Sequence, residues 1–280
     1  MPVAVVGWIA YNSTVQTNER RRTHIMGVGI DDVTADRAVE MIAGWVAAGR
    51  AGRLDRVRQV ATVNPEFLMT ARGDHNFRQL LNRVDLATPD GQGLIWAARL
   101  LRLPLRQRVP GVETVAHLAQ LAAERGYRLY FLGSAEGVAA AAATKLATRY
   151  PGFKVEGCYG GSPAAEEAAA ICQRVMAATP DVLLVAYGAP AQDKWIAAQV
   201  AAGRLRPPLA VAIGVGGAFD FLSGRTVRAP AIMQRLGLEW LHRLYKQPWR
   251  WRRILRVVQF GIIIMRRAAR KLLARSSAVI

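Results

Sequence analysis

Hydrophobic and polar positions follow two alternating periods along most of the chain. Short apolar runs are separated by longer Ala-rich segments in which apolar residues recur at helical spacing. The predicted strands are His24–Ile30, Val57–Val63, Val84–Ala87, Arg128–Leu132, Lys154–Cys158, Val182–Tyr187 and Leu209–Val215. The predicted helices are Ala35–Ala48, one that opens with Pro65–Ala71, Gly93–Leu101, Val115–Arg125, Glu136–Tyr150, Ala164–Ala178 and Ala191–Val200. This alternation predicts an α/β fold, with a doubly wound, mostly parallel, Rossmann-like sheet between two layers of helices.

The end of the chain follows a different pattern, that of a basic amphipathic helix. No acidic residue follows Glu239, whereas eleven Lys and Arg residues do. The apolar stripe consists of Trp251, Leu255, Val258, Ile262, Met265, Ala269 and Leu272. The opposite face consists of Arg252, Arg256, Gln259, Arg266 and Arg270. Such a helix lies on an anionic membrane surface or docks to a polyanionic partner. The alternative is a helix packed on its own domain or on a second subunit, with the stripe buried.

Composition sets the outline of the molecule. The 280 residues, 52% of them hydrophobic, suffice for one large domain and an appendage. Acidic residues nearly vanish after Gly224, so we divide the chain into an extension (1–22), an α/β domain (23–224) and a basic appendage (225–280). The tail's longest apolar stretch, Ile254–Met265, is too short to span a bilayer and contains Arg256. Residues 1–22 do not resemble a secretory signal. Two cysteines form no disulfide framework, which indicates a reducing cytoplasmic compartment.

Glycine-rich segments follow four of the predicted strands. In open α/β sheets, ligands bind beyond the carboxyl ends of the strands. Glycine lets the backbone approach a phosphate, and the following helix supplies N–H donors. The candidate contact positions are Gly133, Gly188, Gly214, Gly216 and Asp220. A nucleotide or diphosphate ligand is the inference, although plain strand-to-helix turns use glycine too. The chain has no P-loop motif, and without a dinucleotide fingerprint at the first strand a nicotinamide-dependent dehydrogenase is weakly supported.

Polar residues at two strand ends are candidates for catalysis. Asp90 follows a strand and precedes Gly91 and is the best candidate for a general base that takes a proton from a sugar hydroxyl. It can equally cap the following helix. Thr62 and Asn64 can position a hydroxyl-rich ligand, or can satisfy the polar groups of their own turn.

Three further side chains are binding candidates. Arg108 can meet a phosphate with two hydrogen bonds, or can be a solvated surface residue. Gln192 and Asp193 begin a helix after a Gly-Pro turn and suit sugar or ribose hydroxyls, or cap that helix. The scattered histidines and the isolated pair Asp31-Asp32 form no metal motif, so we expect neither a metal nor a cofactor.

Several motifs, in order, resemble the bacterial WecG/TagA/CpsF glycosyltransferases. They are Thr62-Val63-Asn64-Pro65-Glu66, Pro89-Asp90-Gly91-Gln92-Gly93, Arg108-Val109-Pro110-Gly111, Phe131-Leu132-Gly133, Gly188 to Trp195, Gly214 to Asp220, Arg228-Ala229-Pro230 and Gly237 to Leu244. The resemblance covers roughly residues 25–255. The chain departs from the family's pattern at Gln192-Asp193, at Gln247-Pro248-Trp249-Arg250 and in a longer, more apolar tail.

The resemblance implies an inverting, metal-independent glycosyltransferase. It implies transfer of an N-acetylmannosamine-type sugar or glucose from a UDP-sugar to an undecaprenyl-diphosphate-linked saccharide in cell-surface polysaccharide synthesis. It implies that Asp90 is the catalytic base with Thr62 beside it. It also implies that Arg108 and appendage arginines, for which we take Arg243, Arg250 and Arg253, engage diphosphate. The appendage is implied to close over the pocket and to hold the enzyme at the cytoplasmic face of the membrane.

A second class of function is a basic nucleotide- or nucleic-acid-binding α/β protein without transferase activity. The net charge of +18 permits it. The apolar stripe argues against it, because a nucleic-acid surface does not require large apolar residues along one line. We therefore expect no nucleic-acid partner, and the sequence leaves open whether the chain forms a homo-oligomer.

Overall fold

The computed structural model describes residues 21–227, 229–230, 232–233, 239–246, 248 and 251–276. The strands are β1 (Arg22–Ile25), β2 (Val28–Asp31), β3 (Arg58–Val63), β4 (Leu86–Pro89), β5 (Leu129–Gly133), β6 (Val155–Tyr159), β7 (Val182–Ala186) and β8 (Val211–Gly214). The helices are α1 (Ala35–Arg50), α2 (Pro65–Gly73), α3 (His75–Arg83), α4 (Gln92–Leu101), α5 (Gly111–Arg125), α6 (Val138–Arg149), α7 (Ala168–Ala177), α8 (Ala191–Ala201), α9 (Ala218–Leu222), α10 (Glu239–Lys246) and α11 (Trp251–Ser276).

The main sheet has six parallel strands in the order β4-β3-β8-β7-β5-β6. Successive residues of a strand point to opposite faces, so the sheet separates two layers of core. Val60 packs in the layer formed with α1, α5, α6 and α9, and its neighbour Ala61 packs in the layer formed with α2, α3 and α4. Helices α7 and α8 cover the rest of the second face. The predicted doubly wound α/β fold is confirmed.

The first predicted strand is wrong in one respect. His24–Ile30 is not one strand, because Met26 and Gly27 adopt φ values of 54° and 82° and reverse the chain. The result is a separate antiparallel hairpin in which Thr23 pairs with Ile30. Its apolar side chains still enter the core beside α3, which the sequence analysis did not predict.

Helix α11 packs along α2 and α4 with a face that the sequence analysis did not single out. Ile254, Phe260, Ile264 and Ala268 are buried there. Phe260 and Ile264 belong to the same core cluster as Phe67 of α2. The helix therefore shares a core with the α/β domain.

The apolar stripe of α11 faces outward. Trp251, Leu255, Val258, Ile262 and Met265 are between 44% and 67% exposed. The alternative in which packing on the domain buries this stripe is wrong, since a different face makes that contact. Within the described residues, no helix combines the length and the apolarity needed to cross a membrane.

Candidate functional site

Four adjacent strands, β4, β3, β8 and β7, end at the same edge of the sheet and open into a polar cavity of about 280 Å³. The candidate residues among those that line it are Thr62, Asn64, Asp90, Arg108, Gly188, Gln192, Gly216, Asp220 and Arg253. These residues are far apart in the sequence. The parallel order of the strands brings them together.

The backbone fixes Asp90 next to β3. Its N–H donates a hydrogen bond of 2.6 Å to the carbonyl of Val63, which extends the β3–β4 pairing by one position. Gly91, with φ of 92°, then turns the chain into α4. The N-cap of α4 is Gly91, which has no side chain to make a capping hydrogen bond. Asp90, the residue before it, lies in the lining of the cavity.

The side chains of Thr62 and Asn64 both have hydrogen-bond partners within the protein. The Thr62 hydroxyl, 4% exposed, donates to the carbonyl of Gly214 at 2.9 Å and so ties β3 to β8. The Asn64 side-chain oxygen accepts from the N–H groups of Glu66 and Phe67 and caps α2. Asn64 therefore satisfies polar groups of its own turn, which is one of the two interpretations given above. It also lines the cavity.

Two arginines line the polar cavity. A guanidinium nitrogen of Arg108 lies 3.6 Å from Oε1 of Glu113. The N–H of the next residue, Val109, donates a hydrogen bond to the carbonyl of Pro89, the residue before Asp90. Arg253 donates from Nε to Glu66 Oε1 at 2.6 Å. Both arginines line the polar cavity together with Asp90, and each is paired with a glutamate. Arg250 and the side chain of Arg243 lie outside the described residues.

Gln192 connects the two glycine-rich loops of the site. Its Oε1 accepts hydrogen bonds from the N–H of Gly188 at 3.1 Å and of Gly216 at 2.9 Å. These loops follow β7 and β8, so one side chain fixes the spacing between them.

Asp220 is positioned by its neighbour Phe219, whose ring stacks on Phe131 with centroids 4.6 Å apart.

The structure places three predicted binding residues behind the cavity. Asp193 is fully buried, and burial raises the pKa of its carboxyl to about 7. A Cβ on Gly133 would lie 2.8 Å from the backbone of Ala186, and one on Gly214 would lie 2.6 Å from Gln192 Nε2. Close approach to β7 explains Gly133, and close approach of the α8 side chains Gln192 and Asp193 explains Gly214. None of the three lines either cavity.

Four polar residues that line the polar cavity were not among the predicted contacts: Glu66, Ser134, Tyr187 and Glu239. The hydroxyls of Ser134 and Tyr187 are buried, line the polar cavity and have no hydrogen-bond partner among the described residues. Burial also raises the pKa of Tyr187 above its usual value. Each of these two residues follows a strand directly, which is the signal that indicated its glycine neighbour. Glu66 follows Pro65, the first residue of α2, and Glu239 is the first residue of α10.

A second cavity, of about 490 Å³, adjoins the first and lies between α2, α4 and α11. Residues that line both cavities are Asn64, Glu66, Asp90, Arg108, Glu239 and Arg253. The two cavities therefore meet at the carboxylate and the arginines described above.

The acidic pair near the first strands has a structural explanation. The carboxylate of Asp31 accepts hydrogen bonds from the side chain of Arg22 and from the N–H of Ala87. The carboxylate of Asp32 accepts a hydrogen bond from the side chain of Arg106. Among the described residues, no group of three or more His, Cys, Asp or Glu side chains is arranged to hold a metal ion.

Comparison with known proteins agrees with the motifs at the strand ends. The model of the glycosyl transferase WecG/TagA/CpsF family matches residues 23–274. The chain belongs to this family. Because it does, the chain is a glycosyltransferase, and the dehydrogenase and nucleic-acid alternatives lose their support.

Curated relatives are similar over most of the chain. One is the N-acetylglucosaminyldiphosphoundecaprenol N-acetyl-beta-D-mannosaminyltransferase of Bacillus subtilis, 32% identical over 76% of this chain and 80% of the relative. An enzyme of the same name from Staphylococcus aureus strain MW2 is 28% identical over 89% of this chain and 93% of the relative. The family match includes almost all of α11, so this helix is part of the family's unit.

Proposed function

We propose that this glycosyltransferase moves an N-acetylmannosamine-type sugar or glucose from a UDP-sugar to an undecaprenyl-diphosphate-linked saccharide, with inversion and without a metal. The relatives' names describe mannosaminyl transfer to an N-acetylglucosaminyl-diphosphoundecaprenol acceptor. The observation that supports the proposal is the position of Asp90. It lies where a polar cavity meets an apolar one, with Arg108 and Arg253 beside it.

In the proposed reaction, the Asp90 carboxylate accepts the proton of the acceptor hydroxyl. The hydroxyl oxygen forms a bond to the anomeric carbon as the bond from that carbon to the UDP oxygen breaks. Attack from the side opposite UDP inverts the anomeric centre. Arg108 and Arg253, with Arg243 and Arg250, are proposed to neutralise diphosphate charge, which is why no metal is needed in the proposal.

The donor is proposed to bind in the polar cavity. Its lining includes the Gly188 and Gly216 loops and the buried hydroxyls of Ser134 and Tyr187. Buried polar groups normally have partners, so these two hydroxyls suit a ligand rich in hydrogen-bonding groups. A nucleotide sugar is such a ligand.

The proposal places the enzyme at the cytoplasmic face of the membrane, bound through α11. The exposed stripe around Ile262 offers apolar area, and Arg256, Arg266 and Arg270 are exposed next to it. Anionic lipid attracts the basic flank while the stripe enters the interface. The lipid-linked acceptor is found there.

A donor screen tests the proposed reaction. The protein, a polyprenyl-diphosphate-linked N-acetylglucosamine acceptor and a panel of UDP-sugars are incubated with and without EDTA, and UDP release is measured. The expected result is release with one donor that requires the acceptor and is unaffected by EDTA. Absence of release with every donor would refute the reaction, and loss of release in EDTA would refute metal independence alone. Chromatography of the product against α- and β-linked standards tests inversion.

A further inference from the structure

The larger cavity changes character with distance from Asp90. The residues that it shares with the polar cavity are all polar or charged. The residues that belong to it alone are apolar or glycine, apart from Gln92. Its walls include Trp96 and Leu100 of α4 and Val257 and Ile264 of α11. A ligand that occupies both cavities needs a polar or anionic part followed by a hydrocarbon part.

The larger cavity also has an apolar exit. Val258 and Met265 line it, and they are 44% and 67% exposed as members of the stripe of α11. The cavity is therefore continuous with the surface that we place on the membrane. A chain that enters from the lipid passes mainly apolar side chains before it reaches the arginines that line the cavity with Asp90.

We propose that this cavity binds the first isoprene units of the acceptor lipid and so sets the position of the diphosphate and sugar next to Asp90. The identity of the lipid rests on the proposed function. A polyprenyl diphosphate has the required order of groups: a sugar, two phosphates and a branched hydrocarbon. A volume of about 490 Å³ falls in the range of small-molecule sites, ~300–1,000 Å³.

Gly261 provides a way to fill the cavity without disturbing the protein around it. It lies in α11, lines the cavity, and a Cβ placed on it would meet no atom within 4 Å. Its backbone does not have positive φ, so Gly261→Phe places a ring in open space and replaces a poor helix former. Gly261→Leu is a smaller version of the same change.

Gly44 supplies a matched control. It lies in α1, is exposed, and a Cβ on it would also meet no atom within 4 Å. Gly44→Phe therefore adds the same ring to a helix of the same protein, away from both cavities. Ile262→Gln serves a different purpose, because it changes the exposed stripe one residue from Gly261.

The experiment measures binding without turnover. Geranylgeranyl diphosphate, kept below its aggregation limit, and inorganic diphosphate are titrated against the full chain, with no vesicles present. Binding is followed by tryptophan fluorescence, since Trp96 and Trp240 line the cavity. Thermal unfolding of each variant confirms that it is folded.

The expected result is that wild type and Gly44→Phe bind the prenyl diphosphate at least about tenfold more tightly than inorganic diphosphate, because hydrocarbon leaves water. In Gly261→Phe this preference should fall to less than about threefold, with an intermediate value for Gly261→Leu. Equal affinities in wild type, or a preference that Gly261→Phe leaves intact, would overturn the proposal. Loss of the preference in Ile262→Gln alone would place the prenyl chain on the stripe and would overturn it too.

This measurement is independent of the proposed reaction. If the donor screen fails while Gly261→Phe abolishes the prenyl preference, the lipid site stands and the transfer reaction does not. If transfer occurs while wild type shows no prenyl preference, the reaction stands and the lipid site is refuted.

Discussion

Arg253 in the C-terminal helix donates a 2.6 Å hydrogen bond from Nε to Oε1 of Glu66 at the start of α2. The two residues are 187 positions apart in the sequence. Both line the polar and the apolar cavity, so this ion pair stands where the two cavities meet. The C-terminal helix is thereby part of the site wall.

The first prediction concerns this ion pair. Arg253 is 43% exposed, so the pair contributes at most about 1 kcal/mol to stability. Arg253→Ala should therefore leave the melting temperature nearly unchanged but lower transfer at least about tenfold, because a positive charge at the proposed diphosphate site is lost. The measurement is UDP release under saturating donor. Arg37→Ala, which breaks the exposed pair with Glu40 on α1, is the control and should retain full activity. Full activity in Arg253→Ala would remove this arginine from the proposal.

The second prediction concerns the base. Asp90→Asn keeps the shape of the side chain but cannot accept the acceptor's proton. Turnover should fall by about 10²–10⁴-fold while the melting temperature stays the same. Asp36→Asn is the control, because Asp36 is an exposed acidic residue in the first turn of α1 and lines neither cavity. An Asp90→Asn variant with near-wild-type turnover would refute the assignment.

The third prediction concerns the two loops that Gln192 connects. Gln192→Ala leaves the N–H groups of Gly188 and Gly216 without their acceptor. We expect a loss of about 1–3 kcal/mol in stability and a raised KM for the donor, with less effect on the acceptor's KM. Gln199→Ala on the same helix, which loses one bond from Arg204, is the comparison and should leave the donor's KM unchanged. A donor KM equal to that of wild type in Gln192→Ala would contradict the proposed donor site.

The fourth prediction concerns the membrane. Replacing Leu255 and Ile262 together by Gln removes apolar area from the exposed stripe without touching the buried face. The partition coefficient for anionic vesicles, measured by co-sedimentation, should fall at least about tenfold. Burying a leucine or isoleucine side chain away from water contributes about 1.5–3 kcal/mol to binding, and the double variant loses two such side chains. Val227→Gln, at an exposed apolar position outside α11, is the control. Unchanged sedimentation of the double variant would refute membrane docking through the stripe.

The fifth prediction concerns pH. Burial raises the pKa of Asp193 to about 7 from a usual value of 3.8. Between these values the folded protein binds more protons than the unfolded chain, so the free energy of unfolding falls as pH rises through this window. Asp193→Asn has no such proton to lose and should gain stability relative to wild type as pH rises, by about 1.4 kcal/mol for each pH unit inside the window. Melting temperatures measured from pH 4 to 8 test this.

Asp55→Asn is the control for the pH series, because the Asp55 side chain is 72% exposed. Its plot of melting temperature against pH should stay parallel to that of wild type. If the plot for Asp193→Asn is also parallel to that of wild type, the buried carboxyl of Asp193 does not titrate between pH 3.8 and about 7.

The amino-acid sequence determined the elements and the chemistry at their ends. Helical and strand periods placed most elements of the α/β domain within a few residues, because each element buries one face and its sequence must repeat accordingly. Asp90 and the glycine-rich segments followed from the rule that ligands bind beyond the carboxyl ends of parallel strands. The hairpin at Met26 was missed, since a non-glycine residue rarely adopts positive φ.

Only the tertiary structure decided which face of each element has which neighbour. The stripe around Ile262 and the buried face around Ile264 have the same helical period, so periodicity cannot tell the face that packs from the face that stays exposed. The pairing of Arg253 with Glu66, and the apolar cavity beneath α11, depend on where that helix lies across α2 and α4. The burial of Asp193 likewise depends on the contact of α8 with β8, which no local pattern in the sequence contains.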